Sequence, residues 1–262
     1  MTNPTESNSL NGAQWLCILI TLSTIKIILL MHIVRLFSFQ TALLYDESTL
    51  AFPSKLHALS GTASFVVPAG STCFLYQHDG ESILTGHFKL PVYAGMYACV
   101  TEGEIRCTGQ AIIIERLDYR GIFSLGGAVE PRGRLCYIDG CTDSLLIPPV
   151  KYGDACLNAL FFPPQTNQTP HTHPSVRIGM VIRGQGVCAT PDHQVPLVVG
   201  DIFVIPTDTI HSFHTDATDE LVVIAYHPDT DFGAKDEDHP MINRSIVNGV
   251  SAKFIDEIRT KA

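Results

Sequence analysis

The chain has 262 residues, 45% of them hydrophobic, with a formal net charge of -9. That length holds one large or two small domains. The negative charge, with no Lys/Arg run and no basic–aromatic stripe, excludes a general nucleic-acid binder, because backbone phosphates would be repelled. The content of 16 prolines and 20 glycines suits a compact, turn-rich β protein. Eight cysteines are scattered without a CxxC pair. They read as small buried hydrophobes in a reducing compartment, so a cytoplasmic location is expected.

In chain order, the first element is Trp15 to Met31, WLCILITLSTIKIILLM, almost wholly apolar with Lys26 inside it. It lies at the short edge for a transmembrane helix. Residues 1–14 carry no Lys or Arg, which argues against a signal peptide. The preferred reading treats residues 1–30 as an over-extended start, with Met31 as the natural first residue. A membrane anchor is the minority reading, with Arg35 favouring a cytoplasmic body. A helix packed on the protein or on a partner is the third. Membrane contact is expected only if residues 15–31 are genuine.

From about Ala51 to Ile147, short apolar runs alternate with turn residues. Ala63–Val67 precedes Pro68-Ala-Gly, Ser71–Tyr76 precedes His78-Asp-Gly, and Ala111–Leu117 precedes Asp118. Their length and their Val, Ile, Tyr and Phe content indicate strands. The regular turn spacing favours a sandwich or jelly roll over α/β. Glu115-Arg116 and Arg132-Gly-Arg134 read as solvated charges. Asp139 and Asp143, beside glycine and serine, read as turn residues. A join is expected near Pro148-Pro149, giving a β domain over 31–148 and a second domain over 149–262.

The second domain carries the chemistry. Its run Gln168 to Gly186, QTPHTHPSVRIGMVIRGQG, contains His171-Thr172-His173, and a later segment opens with Gly200 and closes DIFVIPTDTIH at His211. On an extended strand alternate side chains share a face, so an HxH pair aims two imidazoles at one spot. A third histidine from a neighbouring strand completes one face of a metal coordination sphere. Neutral imidazole suits zinc, copper, iron and nickel. Metal bonds of about 2.0–2.2 Å would bring such nitrogens to within about 3–4 Å of one another.

This spacing, over about residues 155–228, resembles the cupin family. His171, His173 and Gly184 match its first motif, and Gly200, Pro206 and His211 match its second. Asp208 stands at the family's second glycine and Thr215 at its Asn. The resemblance implies a double-stranded β-helix (jelly-roll) barrel with His171, His173 and His211 as metal ligands. The strand pattern of the first half, which has no HxH and no second motif, reads as a degenerate cupin-like barrel without metal, making the whole chain all-β and a bicupin. The alternative is an irregular β extension of a single barrel. The position of the family's carboxylate ligand holds Arg177, which cannot ligate a metal. Either the site is a three-His metal centre with a cation beside it, for which some cupin oxygenases give precedent, or it has lost metal and binds an anion directly. An unpaired charge inside a barrel needs an anionic partner: a substrate carboxylate or phosphate, or a buried Asp or Glu.

Several other residues are weaker candidates. His214 should face away from the site. His227 and His239 are candidates for acid/base or supporting roles. Gln168 and Tyr226 could line the cavity. Beyond Tyr226 a long ordered strap is expected, and Val250, Phe254, Ile255 and Ile258 fall at helical spacing, which predicts an amphipathic helix over 249–261.

The leading functional expectation is a metal-dependent, dioxygenase-like oxidoreductase. Its cofactor is a divalent metal, iron(II) favoured over zinc, nickel, copper or manganese. Its substrate is a small anionic metabolite steered by Arg177 as a catalytic residue. A homodimer is an allowed assembly. The alternatives are a non-redox isomerase, lyase or epimerase, and a non-catalytic ligand-binding cupin.

Overall fold

The computed structural model describes residues 33–235, 245–255 and 257. The apolar segment over residues 15–31 and His239 lie outside them. Among the described residues no helix is long and apolar enough to cross a membrane.

The fold is all-β and antiparallel, as the turn spacing predicts. The strands in order are β1 (Arg35–Phe37), β2 (Ala42–Asp46), β3 (Ser54–Val66), β4 (Thr72–Thr85), β5 (Lys89–Tyr93) and β6 (Tyr97–Val100). There follow β7 (Glu104–Arg116), β8 (Ser124–Gly126), β9 (Leu135–Cys136), β10 (Thr142–Ile147), β11 (Cys156–Phe162) and β12 (Arg177–Ala189). The last six are β13 (Gln194–Val198), β14 (Ile202–Ile205), β15 (Ser212–His214), β16 (Leu221–His227), β17 (Ile246–Val247) and β18 (Val250–Ser251).

One sheet runs β2-β3-β7-β4-β6-β8, with β5 on β4. The other runs β1-β14-β12-β16-β11-β10-β9, with β13 and β15 also on β12. Sheet membership therefore changes between Gly126 and Leu135, upstream of Pro148-Pro149. Strand β1 crosses back to the second sheet, where Leu36 lies opposite Phe203.

Alternation along each strand divides the apolar side chains among three cores. In β7, Ala111 and Ile113 fill the interior of the first sheet. In β16, Leu221, Val223 and Ala225 fill the interior of the second. The opposite faces supply Ile112 and Ile114 from β7 and Val222, Ile224 and Tyr226 from β16, which meet in a core between the sheets. This places Tyr226 away from the cavity it was expected to line. Its ring packs 5.1 Å from that of Phe74, and its hydroxyl lies 3.2 Å from Ser54 Oγ.

His78-Asp-Gly is a turn signal in the sequence, yet β4 runs straight through it. The register slips between Gln77 and Asp79, so the extra residue is absorbed as a bulge. Gly61, Gly109 and Gly80 lie side by side across β3, β7 and β4. A Cβ on Gly109 would sit 2.1 Å from Asp79 O, and one on Gly80 2.1 Å from Thr108 O. At Gly109 and Gly80 only glycine lets the neighbouring backbones come this close across the row.

Two further expectations need correction. Glu115 is buried rather than solvated, accepting from Ser71 Oγ at 2.7 Å and lying 3.3 Å from His57 Nε2. Residues 246–254 form the β17–β18 hairpin and a short 3-10 turn over Ala252–Phe254, not the start of an amphipathic helix; residues 256 and 258–261 of that expected helix lie outside the described residues. The Asn248-Gly249 pair explains this: both residues have positive φ, the signature of a two-residue hairpin turn, and that turn outweighs the helical spacing of the apolar residues.

Candidate metal centre

His171, His173 and His211 come together at one end of the second sheet's interior. One ligating nitrogen from each lies within 4.8 Å of the other two. Their ring centroids are 5.0 Å apart for His171 and His173, 4.5 Å for His171 and His211, and 5.3 Å for His173 and His211. That 4.8 Å limit is wider than the about 3–4 Å expected of a loaded site.

The local backbone explains the convergence. The HxH run is not in a regular strand but in the segment leading into β12. It is fixed by one isolated bridge in which His171 and His211 exchange both backbone hydrogen bonds at 3.0 Å. Asp208 N donates to His173 O at 2.9 Å, and Asp208 has φ 59°. Asp tolerates this left-handed conformation better than most residues, which is why it can stand where the family carries glycine. Gly184 has φ 72°, and a Cβ there would meet Glu220 O at 1.8 Å. Thr215, at the family's Asn position, donates from Oγ1 to Pro163 O at 2.6 Å and accepts from Thr166 N at 2.9 Å. It ties down the loop just ahead of the histidines.

The donor chemistry fits a metal. His171 Nδ1 donates to Thr169 O at 2.9 Å, and His211 Nδ1 donates to Thr209 O at 2.9 Å. A carbonyl only accepts, so each Nδ1 carries the proton and each Nε2 lone pair is left for a cation. Asp139 supports the first of these bonds from outside, accepting from Thr169 N at 2.6 Å. Burial is the main force holding His173 and His211 neutral. It lowers His173 to about 2, helped by the Arg177 charge and the other two rings. It lowers His211 to about 4. The pocket behind them is lined by Leu160, Phe203, Phe213, Val223 and Ala225.

Arg177 enters the same cavity, facing inward from the start of β12. Its Nη1 bonds Asp229 Oδ1 at 3.0 Å and Val176 O at 3.1 Å, and it also reaches Ser175 Oγ. Ser175 Oγ in turn donates to Asp229 Oδ1. Of the two partners that charge could have, the buried-carboxylate alternative is therefore present. Only one edge of the guanidinium is used, however. Arg177 Nε is buried with no hydrogen-bond partner among the described residues.

His227 also lines the cavity, with its ring 6.2 Å from that of His173. Burial, then Arg177, holds it well below its ordinary range. His214 lies outside, bonded to Ser212 Oγ at 2.7 Å. Gln168 is outside too, its Oε1 accepting from Phe213 N at 3.0 Å.

Past His173 and Arg177 the pocket widens to a cavity of about 640 Å³. Tyr137, Asp143 and Asn158 line one side, and Asp229 to Phe232 of the strap line the other. Asp143 is therefore a buried cavity residue rather than the turn residue expected. Asp143, Asn158, Ser175 and Asp229 were all missed as site residues. The available signal was a lone Asn inside CLNALFF, since a polar side chain in an otherwise apolar strand needs a reason to be buried.

Comparison with known proteins agrees with the fold. The family model for the cupin domain matches residues 160–227. The comparison with curated proteins gives no match. Among solved structures, a Pseudomonas aeruginosa protein named as glyoxylate-induced is similar at 14% identity and TM-score 0.54, over 77% of this chain and 82% of that one. A cupin 2 conserved barrel domain protein from Leptotrichia buccalis is similar at 14% identity and TM-score 0.52, over 74% and 88%. A salicylate 1,2-dioxygenase from Pseudaminobacter salicylatoxidans is similar at 10% identity and TM-score 0.52, over 84% and 95%. At these identities the likeness is one of fold.

Proposed function

We propose, from the premise that residues 160–227 form a cupin domain on a jelly-roll scaffold, that this protein is a metal-dependent oxidoreductase. In this reading His171, His173 and His211 hold one divalent metal, iron(II) before zinc, nickel, copper or manganese, and the substrate is a small anionic metabolite. The observation that carries the reading is the pair of Nδ1–carbonyl bonds at His171 and His211. They direct two Nε2 lone pairs into a cluster that contains no carboxylate among the described residues. Iron(II) bound there would supply the electrons that bring dioxygen into reaction with the substrate.

The chain's own residues do the rest. Leu160, Phe203 and Phe213 exclude water behind the histidines. Arg177, pinned through Nη1 by Asp229, turns its unused Nε edge to an incoming carboxylate. His227, held neutral, offers its ring to hydrogen-bond the bound substrate inside the cavity. A salicylate 1,2-dioxygenase among the fold neighbours makes salicylate the first substrate to try.

Protein purified without added metal is assayed for metal content, and for oxygen uptake with salicylate and a panel of small carboxylic acids. One iron per chain with substrate-dependent oxygen uptake is the expected result. A bound metal without oxygen consumption would point instead to an isomerase, lyase or epimerase. Anion binding with no metal would mean a non-catalytic binding protein.

A further inference from the structure

The wide half of the cavity contains two buried acceptors with nothing to accept from. Asp143 on β10 and Asn158 on β11 are 8% and 3% exposed and line the cavity with His173 and Arg177. Asn158 Nδ2 donates to Asp143 Oδ2 at 3.3 Å. That bond fixes the amide's orientation, because the flipped amide would set a carbonyl oxygen against a carboxylate with no proton between them. Asn158 Oδ1 and Asp143 Oδ1 are then both left buried with no hydrogen-bond partner among the described residues. Each such orphan costs roughly 1–3 kcal/mol, so two on neighbouring strands of one cavity call for a donor that arrives with the ligand.

The kind of donor follows from the count. A hydroxyl has one proton and satisfies one acceptor, whereas an amino group has at least two. Charge selects the protonated form. Asp143 has no ion-pair partner among the described residues, and the cavity's one guanidinium is engaged by Asp229. At the other end, Arg177 Nε is a buried donor without an acceptor. Arg177 lies on β12 and Asn158 on β11, with β16 between them. Two strand spacings separate their backbones by about 10 Å.

We propose that Asp143 and Asn158 form an ammonium-binding subsite, and that the substrate is an acid with an amino group at its far end. Its carboxylate lies toward Arg177 and the histidines, and its amine lies on the two Oδ1 acceptors. The inference rests on the reading of the three-His end as the substrate site and narrows the substrate from an anion to a zwitterion.

The test is calorimetric titration of the full chain with ω-amino acids from glycine to 6-aminohexanoate, each against the straight-chain carboxylate of equal length. At one chain length or more the amino acid should bind at least tenfold tighter. Asp143→Asn, nearly isosteric, should remove that preference, so that the amino acid and the carboxylate of equal length bind alike in protein that a cooperative thermal transition shows to be folded. A preference at no length, or one that survives Asp143→Asn, would overturn the subsite. Metal content measured on the same samples keeps the two readings apart. Metal and carboxylate binding without amine preference leaves the proposed function standing and removes this subsite. An Asp143-dependent preference in protein without metal does the reverse.

Discussion

His211 and His171 are each anchored through Nδ1 to the carbonyl of the residue two before them, so ring orientation is set by local backbone. His211→Ala should therefore empty the site without unfolding the barrel. Metal per chain, measured by elemental analysis, should fall from about one to near zero. His173 and His211 make the metal-free protein acid-sensitive. Burial lowers His173 to about 2 and His211 to about 4, against about 6.5 when unfolded. Between those values the unfolded chain binds more protons, so this stability is fully present above about pH 6.5 and is lost as pH falls toward 4 and below. Chelator-treated protein should show its melting temperature dropping through that window. Arg177→Gln leaves Asp229 unpaired. Breaking a buried pair costs about 3–5 kcal/mol, and the 18% exposure of Asp229's side chain puts the expectation at the lower end. Ligand affinity should fall as well. A large fall in melting temperature with normal carboxylate affinity would refute the anion-clamp role. The three histidines were legible in the sequence because each sits in a short motif of recognisable spacing, His171-Thr172-His173 in one and Gly200, Pro206 and His211 in the other. Asp229, Asp143 and Asn158 were not, because three different strands or loops bring them to Arg177's cavity, and a strand's register is not written in any one segment.

At the scale of elements, alternation and turn chemistry compete for the same residues. Strands at Ala63–Val67, Ser71–Tyr76 and Ala111–Leu117 were legible, since β-branched and aromatic residues crowd there. Their lengths were not. Glycine reads locally as a turn, but opposite Gly109 and next to a bulge it becomes a bend within a strand. The row makes a graded prediction. Gly109→Ala, with φ 134° and a backbone oxygen 2.1 Å from the new Cβ, should destabilise by at least about 2 kcal/mol. Gly61→Ala, on the same row with φ 74° but open space, should cost only about 1–2 kcal/mol of left-handed strain. Denaturant titration of the two variants measures the difference, and equal effects would mean that contact across the row is unimportant. The C-terminal hairpin teaches the converse. Val250 and Phe254 did not start a helix where Asn248-Gly249 supplied the backbone of a tight turn.

For the whole molecule, the core between the sheets ties the two halves together through Ile112 and Ile114 on one side and Ile224 and Tyr226 on the other. Thermal unfolding should therefore be one transition, with calorimetric and van't Hoff enthalpies in agreement. A fragment covering 149–262 should not fold alone. It lacks β1, β9 and β10, bares the face that β7 covers, and loses Asp143 from the cavity. Recovery of a soluble, metal-binding 149–262 fragment would contradict this.

The crossing of β1 also has a bearing on synthesis. Arg35–Phe37 leaves the ribosome among the first described residues, yet the backbone it pairs with, Ile202–Val204, is among the later ones to emerge. The intervening sheet can close on itself while β1 hangs as an unpaired edge. An unpaired edge strand is a template for a neighbouring chain. The nascent protein should thus be most prone to aggregate between completion of β8 and release of β14, and slowing translation in that interval should lower the yield of native protein.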